Sequence, residues 1–176
     1  MKKILCVFLA LALLFMSCEK EKKAPVYFDS EDTEELLEEE YAQSGDDIKI
    51  PFREEGGVKY VAVKVNGVGW DMIFDTGCSG TLISIAEANY LYQKGLLTSD
   101  DILGASQSMI ADGSIVENMV VRLAEVVIDD KVRCTDVTAT VSANVNAPLL
   151  LGNEVWNRLA TVTIDNENQT LNLKLK

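Results

Sequence analysis

Ile73-Phe74-Asp75-Thr76-Gly77-Cys78-Ser79 is the stretch that decides how this chain reads. Two bulky apolar residues lead into a carboxylate, and a run of small residues follows. The apolar pair suits the end of a buried strand, and the small residues suit a tight loop with close backbone packing. An isolated Asp-Thr-Gly tripeptide reads as a β-turn in which the aspartate caps the loop. What surrounds it here points further. Upstream, Val58-Lys59-Tyr60-Val61-Ala62-Val63-Lys64-Val65 has strand composition, and Asn66-Gly67 is a strong hairpin turn because both residues tolerate positive φ. Trp70 to Phe74 returns as a second strand and delivers Asp75 at its end.

Downstream, Ser84-Ile85-Ala86-Glu87 is a capping-box pattern, predicting a helix that runs to about Lys94 and stops at Gly95. Thr98-Ser99-Asp100-Asp101 is a weaker helix start. Strands are expected over about 105–111, 115–128 and 131–142, with turns at Ala111-Asp112-Gly113-Ser114 and Asp129-Asp130. Leu149-Leu150-Leu151 is apolar on every side and should be buried on both faces. Residues 153–158 suit one or two helical turns, and 161–165 with 170–175 form a final hairpin. Many short strands with few helices predict a mainly β fold, a small barrel or sandwich.

Composition narrows the chemistry. The 176 residues carry a net charge of −12, which argues against nucleic acid, since phosphate binding needs a basic face. There is no histidine. That removes Ser-His and Cys-His nucleophiles and His-based metal sites, leaving carboxylates as the acid and base of any hydrolase. Of four cysteines, Cys6 lies in the leader and Cys18 at its edge. Cys78 and Cys134 read as small buried residues rather than a disulfide, although an oxidising compartment would permit one. No motif calls for a metal or cofactor. Trp70 and Trp156 read as core residues, and Asp46-Asp47 as exposed charges.

The amino-terminus reads as a targeting segment. Lys2-Lys3 precedes an apolar run from Ile4 to Met16, too short for the roughly 20 residues that span a bilayer. Phe15-Met16-Ser17-Cys18 resembles a bacterial lipobox, with Phe15 where Leu is usual. The expected organisation is a signal peptide over 1–17, a lipidated Cys18 with an acidic linker over 18–47, and a folded domain over 48–176. Lipidation would anchor the protein in the bacterial cell envelope, at the periplasmic or surface face. The linker, acidic from Asp29 to Asp47, reads as a solvated spacer.

Far downstream of Asp75 comes Pro148-Leu149-Leu150-Leu151-Gly152-Asn153, an apolar strand ending in glycine before a short helix. Together with Ile73-Phe74-Asp75-Thr76-Gly77 and Leu82-Ile83, this set resembles the retropepsin-like aspartic proteases over about residues 48–176. Cys78 stands where Ala or Ser is more usual, and it is small enough to fit. The resemblance implies a small closed β-barrel of the retropepsin (acid protease) type with one or two short helices. It implies an aspartic endopeptidase with Asp75 as the catalytic residue, Thr76 and Gly77 in the active-site loop, and Leu150, Leu151 and Gly152 beneath it. Ile110, Ala111, Asp112 and Gly113 would form the flap that closes over an extended polypeptide substrate. One Asp-Thr-Gly loop per chain implies a homodimer. Two alternatives stand beside this reading: a non-catalytic peptide- or ligand-binding lipoprotein that retains the protease fold, and an unrelated β-sandwich lipoprotein with the two motifs far apart.

Overall fold

Both residues of the Asn66-Gly67 turn take positive φ, 48° and 83°, as a two-residue hairpin loop requires. Asp129 and Asp130 do the same at 48° and 52°. These local signals sit within a computed structural model that describes residues 41–109, 113 and 115–176. The signal-peptide and lipobox readings, Cys18 and the linker up to residue 40 lie outside the described residues, as do Ile110, Ala111 and Asp112 of the expected flap.

Among the described residues eleven strands and two α-helices follow in order. They are β1 (Ile48–Pro51), β2 (Arg53–Glu55), β3 (Val58–Val65), β4 (Val68–Phe74), β5 (Thr81–Ser84), α1 (Ile85–Gln93), β6 (Ile102–Met109), β7 (Ile115–Ile128), β8 (Val132–Ser142), β9 (Leu150–Leu151), α2 (Asn153–Trp156), β10 (Leu159–Asp165) and β11 (Thr170–Leu175). Ser84 caps α1 with Glu87 in a capping box, and Gly95 ends that segment at φ 72°. The Thr98 start yields only a single 3-10 turn, Ser99–Asp101. No helix among the described residues is long and apolar enough to cross a membrane.

The strands form two sheets. One has the order β1-β11-β10, so the start and the end of the folded domain pair with each other, Ile48 opposite Leu173. The other runs β2-β3-β4-β9-β5-β8-β7-β6, and β3 also pairs with β7, Val63 opposite Ile128. Six strands, β3, β4, β9, β5, β8 and β7, therefore close into a ring. The mainly β class and the two helices agree with the sequence reading.

Alternation along the strands fills one core. In β3, Val61, Val63 and Val65 are buried while Ala62 between them is exposed, the period-two pattern of a half-buried strand. Ile50, Leu171 and Leu173 of the smaller sheet join the same cluster as Met72, Leu123 and Leu151 of the larger one. Trp70 and Trp156 are core residues, as expected. Leu151 is fully buried, but Leu149 and Leu150 are only half-buried. At Leu150 expectation and structure differ because neighbouring strand residues point to opposite faces, and Leu151 takes the face that meets the core; Leu149, just before the strand, packs against the rim of that core.

Candidate active site

Asp75 leaves the end of β4 at the point where β9 lies alongside. Ile73 pairs with Leu150 and Phe74 with Leu151, in parallel register. The Ile73 N–H donates to the Leu149 carbonyl at 2.8 Å, and the Asp75 N–H donates to the Leu151 carbonyl at 3.2 Å. Two segments far apart in sequence are thus adjacent in space, which removes the reading of an unrelated sandwich with separated motifs. Leu151 also accepts from the Trp156 indole N–H at 2.6 Å. The Trp156 ring meets Phe74 edge-on, with centroids 4.7 Å apart, so the strand that ends at Asp75 is braced from α2 as well as from β9.

The loop itself is tied at several points. The Gly77 N–H donates to Asp75 Oδ1 at 2.8 Å. The Cys78 thiol donates to the Gly80 carbonyl at 3.1 Å. At the start of α2, Gly152 occupies the cap position and has no side chain to cap with. The loop takes over that task in reverse: the Asn153 N–H donates to the Cys78 carbonyl and the Glu154 N–H to the Ser79 carbonyl, both at 2.9 Å. These are N–H groups that a helix start leaves without an intrahelical partner. The Asn153 side-chain amide reaches one step further and donates to the Thr76 carbonyl at 2.7 Å.

Gly152 is fixed by close approach rather than by φ. A Cβ there would lie 2.1 Å from the Gly80 carbonyl oxygen and 2.7 Å from that of Cys78. Helix α2 is itself held to β8 by Arg158, which donates to the Thr135 carbonyl, to the Asp136 carbonyl and to the Glu154 carboxylate. Asp75 and Cys78 are half-buried, while Thr76, Gly77 and Ser79 are exposed. The carboxylate therefore rests on a rigid, apolar-backed platform whose upper surface is open.

The structure brings Asp75, Thr76, Gly77, Leu150, Leu151 and Gly152 together. Gly113, at φ 84° and exposed, is the one expected flap residue it describes. It lies between β6 and β7, paired from Ile102 opposite Val121 to Met109 opposite Ile115. Sequence reasoning passed over Asn153 and Trp156 as contributors; neither carries a local signal. Cys78 and Cys134 are free thiols. Burial pushes the Cys134 thiol up, with the Arg158 guanidinium acting against the shift and the Glu154 carboxylate with it. Among the described residues no three Cys, Asp or Glu side chains come together as metal ligands. A surface groove lined by Tyr41 to Gln43, Asp46 to Lys49 and Lys131 contains no residue of the Asp75 loop.

Comparison with known proteins bears on the same residues. Residues 61–155 match the aspartyl protease family. No curated protein sequence gives a significant match. Among solved structures, the fold is similar to a retropepsin-like aspartic protease from Rickettsia conorii. That likeness has a TM-score of 0.52 and 22% sequence identity, and covers 74% of this chain and 90% of that one.

Proposed function

The chain belongs to the aspartyl protease family and has a retropepsin-like fold, and from that premise we propose that it is an endopeptidase completed only by a second copy of itself. The observation that carries this reading is the Asp75 loop. It is pinned from β9 and α2, carries one carboxylate, and leaves Thr76 and Gly77 exposed.

In the dimer, the two Asp75 carboxylates face each other across the two-fold axis. Two such groups about 3 Å apart share one proton, a behaviour already established for aspartic-protease dyads. Their titrations belong to the pair. The ionised carboxylate takes a proton from water as its oxygen attacks the scissile carbonyl carbon. The protonated one donates to the carbonyl oxygen. Collapse of the tetrahedral intermediate then breaks the C–N bond as a proton passes to the leaving amine. Thr76 links the two loops, and Leu150, Leu151 and Gly152 hold each from beneath. The β6–β7 hairpin acts as the flap that covers an extended peptide and excludes water. Cys18 carries the lipid anchor, so cleavage takes place at the cell envelope.

The test is direct. The full chain is incubated with a peptide library across pH, beside its Asp75→Asn variant, and both are sedimented at micromolar concentration. Wild type should cleave and sediment as a dimer; Asp75→Asn should remain folded and cleave nothing. An Asn variant as active as wild type, or a wild type that stays monomeric with peptide and cleaves nothing, would overturn the proposal.

A further inference from the structure

The Thr76 carbonyl and the Gly77 N–H belong to one peptide unit. That unit is planar and trans, so its two polar ends point in opposite directions. The Asn153 Nδ2 amide donates to the carbonyl end at 2.7 Å, and the amide end donates to Asp75 Oδ1 at 2.8 Å. The peptide plane satisfies both partners only when its carbonyl faces α2 and its N–H faces the carboxylate. We infer that Asn153 is a positioning residue for Asp75, acting through the Thr76–Gly77 peptide. The inference rests on the protease reading above and adds to it a residue outside the Asp-Thr-Gly loop.

Three observations make Asn153 suited to this. Its own N–H is bonded to the Cys78 carbonyl at 2.9 Å, so its backbone is registered against the same loop that its side chain holds. It is half-buried at the start of α2, on the side that faces the loop's Thr76 carbonyl. And it follows Gly152, whose contact with Gly80 leaves no slack between α2 and the loop. Hydrogen bonds in series polarise one another. A donor on the Thr76 carbonyl therefore strengthens the Gly77 N–H as a donor to Asp75. Donors to a carboxylate favour its charged form. Removing the Asn153 amide should weaken that support without touching substrate. Asp at position 153 keeps the size but has no donor when ionised; Leu keeps the approximate size and has no donor or charge.

The experiment uses the full chain carrying Asn153→Leu or Asn153→Asp, with steady-state kinetics across pH and the amide proton of Gly77 followed by NMR. With Asn153→Leu, kcat should fall about five- to tenfold, and KM should stay within about twofold of wild type. The Gly77 amide should move upfield and exchange faster. Asn153→Asp retains the shape of the residue, and should show the same change at Gly77 if Asn153→Leu fails to fold. Wild-type kcat in a folded variant, or a rise in KM alone, would overturn the inference. An unmoved Gly77 amide would overturn it whether or not the protein is a protease. A wild type without peptidase activity, together with a Gly77 amide that moves, would instead remove the protease reading and keep the loop contact.

Discussion

Gly152→Ala tests the geometry of the site most severely. The added Cβ would sit 2.1 Å from the Gly80 carbonyl oxygen and 2.7 Å from that of Cys78, both backbone atoms that no rotamer change can move. Reaching the 3.4 Å of an ordinary contact requires the loop and the start of α2 to part by about 1.3 Å. The Asn153 N–H to Cys78 and Glu154 N–H to Ser79 bonds, both 2.9 Å, would then exceed 4 Å and be lost. Two backbone bonds at about 1 kcal/mol each, with about 1–3 kcal/mol of overpacking, give a loss of about 3–5 kcal/mol. Urea unfolding of the full chain measures it. Gly69→Ala is the control: nothing lies within 4 Å of a Cβ there, so its stability should change by less than about 1 kcal/mol. Peptidase activity should fall further than stability does, because a shift of about 1 Å at a reacting group costs about a hundredfold in rate. If Gly152→Ala unfolds within 1 kcal/mol of wild type, the contact between α2 and the Asp75 loop is not what holds the site.

Two further expectations concern charge and thiols. The hydrogen bond from Arg122, with those from the Thr98 side chain and backbone, holds the Asp101 carboxyl down at about 2. A folded value below the ordinary one of about 3.9 means that Asp101 contributes its full stability above about pH 4 and loses it as pH falls through about 2. Urea midpoints measured from pH 6 to pH 2 should therefore fall less steeply in Arg122→Gln than in wild type, and identical slopes would show that this pair is not coupled to folding. Cys78 is half-buried, whereas Cys134 is buried with its thiol pushed up by burial. Iodoacetamide should accordingly label Cys78 well before Cys134 in the folded chain, as read by peptide mapping; equal rates would contradict the burial of β8.

The features legible in the sequence were those set by neighbours along the chain. Asn66-Gly67 announced its hairpin because positive φ at two adjacent positions is a local demand. Ser84 and Glu87 announced α1 because a capping box closes within four residues. Strand β5 was passed over because four residues before a helix cap carry too little alternation to register. The expected strand near 105–111 begins instead at Ile102, where pairing with Val121 overrides the local glycine at 104. The candidate site divides in the same way. Asp75 and Gly152 stood out through family resemblance, but the reason Gly152 must be glycine lies in Gly80, on a different segment. Asn153 and Trp156 act through Thr76 and Leu151. Those contacts exist only once β9 has inserted between β4 and β5, a pairing of two residues that no window of sequence contains.

That insertion also bears on the proposed dimer. Binding a second subunit loses translational and rotational freedom and must order whatever is loose at the contact. The Asp75 loop brings little disorder to that step. Its carbonyls at Thr76, Cys78, Ser79 and Gly80 already accept hydrogen bonds, and its carboxylate already accepts one from Gly77. Net charge works the other way, since two copies at −12 repel each other over the Debye length of about 8–10 Å. The proposed dimer would therefore be held by short-range contacts between preformed surfaces rather than by long-range attraction. Such contacts are sensitive to shape at the sub-ångström level, so in the proposed dimer the bonds that aim Asp75 would also set the surface that its twin has to fit.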